Sequence, residues 1–242
     1  MKLTRTLIAA TVVAALVAQP ALAFADTGDG RTDTKNVISA ADAQIEQHYQ
    51  AWLRRAGGKT ASAFQPTAVD APFRYFYTPS HRQEKNYYCG PATVQIIADY
   101  WGECPSQDAI AKWLGTDVNK ATDFSLVDDA LRYFTKRPYT YVTCRSLSDV
   151  YNRICYGMLV RGNPEATDVR IDADVWPNYV YDHLGHIIPL EAFDWRNYTV
   201  RVNDPYDERY YRGGGDTYGH KTYQRSVVAA GIMAHPRHAI VY

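Results

Sequence analysis

The residue most suited to covalent chemistry is the cysteine of the stretch QEKNYYCGPATVQIIADYWG, residues 83–102, which is followed by glycine and proline. Pro91 fits the first turn of a helix, where its missing N–H costs nothing, and Gly90 permits a tight turn before it. Cys89 is therefore predicted at a helix N-terminus, where unpaired N–H groups and the helix dipole favour the nucleophilic thiolate. The alternative is a structural cysteine that begins a buried helix.

A cysteine nucleophile needs a base that takes its proton and later returns it to the leaving group. Among the seven histidines His186 is the best candidate, because Gly185 leaves space beside it and the apolar run IIPLEAF after it indicates a strand. His183 lies in a stretch rich in Pro, Tyr and Asp and is the weaker candidate. The alternative for both is a surface or core histidine without a catalytic role.

Two further residues would complete such a site. Asp204, in VNDPY, ends a strand-like run, and its carboxylate could accept the second ring N–H of His186. Gln83 precedes the cysteine by six residues and could donate its side-chain amide to an oxyanion, together with the backbone N–H of Cys89. The alternatives are an ordinary Asp-Pro turn for Asp204 and a solvated loop residue for Gln83.

The elements that would position these residues fall into two groups along the chain. Capping residues and helical periodicity predict helices that begin near Ser39, Gly90, Ser106, Ser125 and Ser146. The strand-like runs are YTYVTC, MLVRG, HIIPLEAF, YTVRVNDP and HAIVY. Because helices gather in the first half and strands in the second, the sequence predicts an α+β fold with a mainly antiparallel sheet.

With these pieces in order, the sequence resembles the peptidase C39-like family, a branch of the papain-like cysteine peptidases, over residues 73–242. The matching stretches are QEKNYYCGPATVQIIADYWG, PSQDAIAKWLGT, LGHIIPLEAFDW and YTVRVNDPY. The resemblance implies a papain-like fold, in which the Cys-bearing central helix packs on an antiparallel sheet that carries the histidine and the aspartate. It also implies that Cys89 is the nucleophile, His186 the general acid/base, Asp204 the orienting residue and Gln83 an oxyanion donor.

Two stretches depart from the family pattern. Pro189 interrupts the strand after His186, which predicts an edge position or a bulge. Residues 161–184 are long and irregular, which predicts a loop over the cleft or a surface insertion. Family members that trim double-glycine leaders are fused to a membrane transporter, and we do not expect that role for this chain.

The N-terminal 25 residues have the pattern of a secretory signal peptide. Lys2 and Arg5 precede an apolar run from residue 7 to residue 17, and small residues allow a cut after Ala25 or Ala23. A membrane anchor is the alternative, but the apolar run is short for a bilayer span. We therefore expect a secreted protein, in the extracellular space or the cell envelope, without a membrane span.

Residues 26–72 are predicted to be an N-terminal extension, in which one amphipathic helix lies between linkers. This extension could serve as a spacer, a docking helix or an inhibitory pro-segment. Residues 73–242 are predicted to be the catalytic domain.

Charge and cysteine spacing exclude several classes of function. Lys+Arg and Asp+Glu are equal at 26 each, which is unlike a protein that binds nucleic acid or an anionic membrane surface. The four cysteines form neither a CxxC pair nor a Cys/His set with zinc-finger spacing, so no metal and no cofactor are predicted. Export favours disulfides, and Cys144 and Cys155 are the nearest pair if Cys89 is a working thiol.

These observations predict a secreted cysteine peptidase-like hydrolase that cleaves peptide or amide bonds in a peptide or protein substrate through an acyl-enzyme. A cell-wall amidase or a transpeptidase would use the same triad. A non-catalytic binding module on this scaffold is the alternative from another class. The substrate and the oligomeric state are not predicted.

Overall fold

The computed structural model describes residues 40–55 and 73–242. The predicted signal peptide and the linkers at 26–39 and 56–72 lie outside these residues. In chain order the described residues form α1 (Ala40–Arg55), β1 (Phe73–Tyr75), α2 (Cys89–Tyr100), α3 (Gln107–Leu114), a 3-10 turn (Phe124–Leu126), α4 (Val127–Thr135), β2 (Tyr141–Thr143), α5 (Leu147–Cys155), a π-helical segment (Tyr156–Arg161), β3 (Glu165–Ile171), β4 (His183–Asp194), β5 (Thr199–Asp204), α6 (Glu208–Arg212), β6 (Gly219–Gln224), α7 (Arg225–Ala234) and β7 (Ala239–Val241).

The strands form one sheet in the order β2-β7-β3-β4-β5-β6, and β1 also pairs with β4. All of these pairs are antiparallel. The predicted α+β class with an antiparallel sheet is therefore confirmed. Strand β4 lies between β3 and β5, so that its residues are central to the fold.

Helices cover both faces of this sheet. Strand β7 illustrates the two layers, since its side chains alternate in direction along the strand. Ala239 and Val241 pack in the apolar cluster that contains Cys89 and the helices α2, α3 and α4. Ile240 packs in the larger cluster on the other side, with residues of α5 and α7. Helix α2 is consequently buried between the sheet and two other helices, which makes it a rigid support for its first residue.

Helix starts follow the capping residues in the sequence at two of the predicted positions. Ser106 accepts a hydrogen bond from the Ala109 N–H before α3, and Ser146 accepts one from the Asp149 N–H before α5. The predicted start at Ser125 is displaced, because the Asp123 side chain accepts the Ser125 N–H and caps a 3-10 turn instead. Helix α4 then begins at Val127.

One strand prediction and one loop prediction were wrong. The run MLVRG does not form a strand, because the chain continues from α5 as a π-helical segment as far as Gly162, which adopts a left-handed φ of 73°. Short apolar runs of this kind have no periodicity that separates a strand from a buried helix. The stretch 161–184 is not a surface insertion either, since it contains β3, which pairs with both β4 and β7.

Pro189 does not lie on an edge strand. It pairs with Ala166 of β3 and immediately precedes Leu190, the first residue of β4 that pairs with β5. The register with β5 shifts between Leu190 and Ala192. Pro189 thus pairs with β3 alone, in a strand that lies inside the sheet, and the irregularity in the pairing with β5 follows one residue later.

Helix α1 packs against α5 and the π-helical segment. The Tyr49 hydroxyl donates to Asp149 at 2.6 Å, and Arg153 pairs with Glu46 at 3.0 Å. The rings of Tyr49 and Trp52 contact the ring of Tyr156. Helix α1 is therefore docked on α5 and the π-helical segment, and neither of these elements carries any of the four predicted site residues. Within the described ranges, no helix is both long enough and apolar enough to span a membrane.

Candidate active site

Cys89 is the first residue of α2 and is fully buried. The N-cap residue of α2, Tyr88, makes no side-chain hydrogen bond to the N–H groups of the first turn. These N–H groups are therefore not capped by that side chain. Gly90 is required here for space, because a Cβ on it would lie within 2.7 Å of Thr122 Cβ. The loop that carries Thr122 therefore fits closely over the backbone beside the thiol.

The cysteine sulfur lies against strand β4. The Ile187 N–H donates to Cys89 Sγ at an N–S distance of 3.4 Å. Since this N–H belongs to the peptide that joins His186 to Ile187, the Cα atom of His186 lies no more than about 6 Å from the sulfur. Cys89 Sγ therefore lies beside the backbone of the candidate base, and this N–H bond joins the two segments.

His186 is fully buried and is held by Asp204. The distance from His186 Nε2 to Asp204 Oδ1 is 2.8 Å. The other ring nitrogen, Nδ1, has no hydrogen-bond partner among the described residues. A carboxylate that accepts one ring N–H leaves the opposite nitrogen as a proton acceptor, which is the state a general base requires.

The Asp204 carboxylate is held in turn by two other groups. Its Oδ1 accepts the Tyr206 N–H at 2.8 Å, and its Oδ2 accepts the hydroxyl of Tyr179. Burial and the charge of Asp204 raise the pKa of Tyr179 well above its usual value, so this hydroxyl stays a hydrogen-bond donor. These bonds fix the position of the Asp204 carboxylate relative to His186.

Tyr179 and Tyr206 were not identified from the sequence. Tyr206 lies two residues after Asp204, and its ring centroid is 6.0 Å from that of His186. Tyr179 belongs to the stretch that was predicted to be an insertion or a loop over the cleft. That stretch supplies a central strand and a hydrogen-bond donor to the Asp204 carboxylate. The sequence of this stretch contains two tyrosines, Tyr179 and Tyr181, and nothing in it distinguishes the role of the first.

Gln83 is buried and lies on the segment that approaches α2. Its backbone N–H donates to the Pro205 carbonyl at 2.9 Å, which ties this segment to the residue after Asp204. Its side-chain Nε2 donates to the Lys85 carbonyl at 2.9 Å, and its Oε1 has no hydrogen-bond partner among the described residues. The amide nitrogen carries a second hydrogen, which is the one that could serve an oxyanion.

His183, the weaker candidate, is also buried and lies 3.3 Å from Glu208 Oε1. Glu208 accepts the backbone N–H groups of Val180 and Tyr181 at 2.9 and 3.1 Å. The ring centroids of His183 and His186 are 6.3 Å apart. The pair formed by His183 and Glu208 therefore holds the chain that precedes β4, beside the candidate site.

The four residues predicted from the sequence are all buried, and Cys89 and His186 have no exposed surface. The four cysteines are not joined to one another, and the suggested bridge between Cys144 and Cys155 is not formed. A separate group of metal-ligand type, formed by His81, Asp99 and Cys104, lies outside this site.

A comparison with known protein families agrees with the resemblance seen in the sequence. Residues 75–227 match the Peptidase_C39 like family. The chain is similar to a Bacillus anthracis protein described as a C39-like peptidase, with 14% identity, a TM-score of 0.47 and coverage of 71% of this chain and 97% of that chain. No match was found among curated proteins.

Two further solved structures are similar to the chain. One is the peptidase domain of Streptococcus ComA, a bi-functional ABC transporter involved in a quorum sensing pathway, with 11% identity, a TM-score of 0.47 and coverage of 69% and 96% of the two chains. The other is a double glycine motif protease from an AMS/PCAT transporter in complex with the leader peptide, with 12% identity, a TM-score of 0.44 and coverage of 69% and 91%.

Proposed function

This chain belongs to the Peptidase_C39 like family and is a cysteine peptidase, and from its buried polar residues we propose that it hydrolyses peptide bonds with Cys89 as the nucleophile. The observation that carries the proposal is the convergence of three groups. Cys89 Sγ lies against the peptide that follows His186, His186 is bonded to Asp204 at 2.8 Å, and the Nδ1 of that ring has no other partner among the described residues.

The first half of the proposed reaction forms an acyl-enzyme. His186 Nδ1 takes the Cys89 proton, and the sulfur attacks the carbonyl carbon of the substrate. The carbonyl oxygen becomes an oxyanion, for which the backbone N–H of Cys89 and the side-chain amide of Gln83 are the proposed donors. The tetrahedral intermediate collapses when the C–N bond breaks, and the imidazolium of His186 gives its proton to the leaving amine.

The second half releases the acyl group. Water gives a proton to His186 Nδ1 and its oxygen attacks the thioester carbon, after which the C–S bond breaks and the sulfur recovers the proton. Asp204 keeps its hydrogen bond to His186 in both halves, and its carboxylate stabilises the imidazolium each time it forms. An amine in place of water would complete a transpeptidation with the same residues, and an amide in a cell-wall peptide could be the substrate.

Digestion of a peptide library by the mature protein tests the proposal. We expect cleavage by the wild type and none by Cys89→Ala. Cys144→Ala is a matched control, because it also removes a buried thiol, one that lies in the apolar cluster on the other side of the sheet. Burial raises the pKa of the Cys144 thiol, so it is not activated as a nucleophile. Cleavage that persists in Cys89→Ala would refute the mechanism. An added amine acceptor separates the classes, since ligated products indicate a transpeptidase.

Alkylation separates an enzyme from a binding module on the same scaffold. Cys89 is buried whereas Cys104 is exposed, so accessibility alone predicts that iodoacetamide labels Cys104 first. A thiol activated by His186 at a helix N-terminus should instead react first at Cys89 near neutral pH. Peptide mapping by mass spectrometry measures both rates in one sample. Preferential labelling of Cys104 would favour a binding module.

We also propose that the protein is exported after removal of its first 25 residues. The support is the sequence pattern of those residues. N-terminal sequencing of the protein recovered from the medium or the cell envelope should begin at Asp26, or at Phe24 for the alternative cut. A chain that begins at Met1 in the cytoplasm would contradict the proposal.

A further inference from the structure

Three residues of metal-ligand type meet on the side of the catalytic helix away from its first residue. His81 lies on the segment between β1 and α2, Asp99 in the last turn of α2, and Cys104 in the turn after it. One ligand atom from each of the three residues lies within 4.8 Å of those of the other two. We propose that His81, Asp99 and Cys104 bind a divalent transition-metal ion of the zinc type.

The distances between the donor atoms are close to those of a tetrahedral site. His81 Nε2 lies 2.6 Å from Asp99 Oδ2 and 3.9 Å from Cys104 Sγ. Ligands at zinc-bond lengths of about 2.0–2.3 Å on a tetrahedron are separated by about 3.3 Å for N and O and about 3.6 Å for N and S. The nitrogen and oxygen must separate by about 0.7 Å, and the nitrogen and sulfur must approach by about 0.3 Å.

These adjustments are within the reach of side-chain rotation. His81 and Asp99 are each about one-quarter to one-third exposed, at 27% and 30% of their side-chain surface, and Cys104 is exposed. None of the three is packed in a core that would resist a small movement. An ion can also reach the cluster from solvent, in contrast to the buried Cys89.

The donor set selects the class of metal. A thiolate sulfur and an imidazole nitrogen suit borderline or soft ions such as zinc, whereas calcium and magnesium require oxygen donors. Asp99 supplies a carboxylate oxygen, and with the thiolate it compensates the two positive charges of the ion. Three protein ligands leave one tetrahedral position for water.

Neighbouring amides hold the cysteine in place. Gln95 Nε2 contacts Cys104 Sγ at 3.9 Å and donates to the Pro105 carbonyl at 2.9 Å. Gln95 Oε1 accepts from Gln107 Nε2 at 3.0 Å, and Gln107 also accepts the Glu84 N–H at 2.8 Å. Outer residues of this kind orient metal ligands and affect affinity. The same amides join the turn after α2 to the segment that carries His81.

The consequence of metal binding would be mechanical. The segment with His81 also carries Gln83, two residues later, and ends at Cys89. An ion held by His81 on one side and by Asp99 and Cys104 on the other would tie this segment to the end of α2. The sequence contains no spacing that signals such a site, because its ligands come from a loop, a helix and a turn that only the fold brings together.

Cobalt titration of the folded protein tests the site without any activity measurement. Co²⁺ reports a thiolate ligand through a sulfur-to-metal charge-transfer band in the near ultraviolet. The parent for the titration is Cys89→Ala, so that the candidate catalytic thiol cannot produce the band. We expect one equivalent of Co²⁺ per chain, a charge-transfer band, and displacement of the cobalt by Zn²⁺.

Variants in that parent separate a three-ligand site from a single reactive thiol. Adding Cys104→Ala should abolish the band, and His81→Ala or Asp99→Asn should weaken binding at least tenfold. His48→Ala, on an exposed position of α1, is the matched control and should leave binding unchanged. Circular dichroism and thermal unfolding verify that each variant is folded.

Three results would overturn the inference. They are the absence of a band in the folded parent, a band that survives the removal of Cys104, and a band that does not depend on His81 or Asp99. The last result would show only a thiolate adduct. Because every titrated variant lacks Cys89, none of these outcomes tests the proposed peptidase mechanism. The library digest tests that mechanism separately.

Discussion

Replacement of Asp204 by asparagine isolates the contribution of charge to the candidate triad. Asp204 accepts hydrogen bonds from His186 Nε2 and the Tyr206 N–H at Oδ1, both at 2.8 Å, and from the Tyr179 hydroxyl at Oδ2. An asparagine carbonyl in the place of Oδ1 can keep the first two bonds, and its amide group can then donate to the Tyr179 oxygen. The substitution therefore removes the charge with little change in packing.

The expected loss follows from the electrostatics of the imidazolium. With charge centres about 4 Å apart and an effective dielectric constant of about 20, the carboxylate stabilises protonated His186 by about 4 kcal/mol. If this stabilisation is expressed in the transition state, its removal lowers the rate by about 10³-fold. An asparagine that turns its amide group towards Nε2 would hold the wrong tautomer, which adds to the loss.

The assay is kcat/KM at pH 7 on the best peptide from the library digest, together with thermal unfolding of each variant. Asp216→Asn is the matched control, since Asp216 is an exposed aspartate that pairs with Lys221. We expect the control to keep its activity and Asp204→Asn to keep its fold. A folded Asp204→Asn protein with activity within threefold of the wild type would refute the role assigned to this carboxylate.

Three other substitutions test separate parts of the structure. Tyr179→Phe removes one hydrogen bond to the Asp204 carboxylate, worth about 1.5–3 kcal/mol, and kinetic assays should show a fall of at least tenfold in kcat/KM. Gly90→Ala places a methyl group against Thr122, so chemical unfolding should show a loss of about 1–3 kcal/mol, part of which Thr122→Gly should restore. Burial raises the pKa of Asp128 to about 6, so its folded form binds a proton more tightly than the unfolded chain does. Its contribution is fully present below the unfolded pKa of about 4 and is lost as the pH rises through 6. Asp128→Asn should therefore remove about 2 kcal/mol from the fall in unfolding free energy between about pH 4 and pH 7, which urea titration at the two pH values measures.

The parts of the fold that the sequence predicted are those with local causes. Pro91 and the apolar residues after it predicted a buried helix at residue 90, and the structure has α2 from Cys89 to Tyr100. Ser106 and Ser146 each precede a helix that they cap. In these segments a capping group or a periodic pattern acts within a few residues, and the same physics operates in the folded chain.

The two wrong predictions concern segments whose structure depends on the elements around them. Strand β3 lies in the stretch 161–184, whose length and irregularity predicted a loop over the cleft or a surface insertion. It is a strand because β4 and β7 satisfy its backbone hydrogen bonds on both sides, and Arg237 lies 3.2 Å from Asp168. The run MLVRG has the composition of a strand but continues a helix. Neither outcome can be read from the residues of the segment alone.

The sequence by itself determined the family, the α+β class and the identity of four candidate residues, because motifs and capping signals are local properties of the chain. Only the tertiary structure decided that His186 bonds Asp204, that Tyr179 supports that carboxylate, and that His81, Asp99 and Cys104 lie together. These contacts join residues far apart in the chain. They exist because strand pairing and burial of the two apolar clusters bring the segments together, and no local pattern records that proximity.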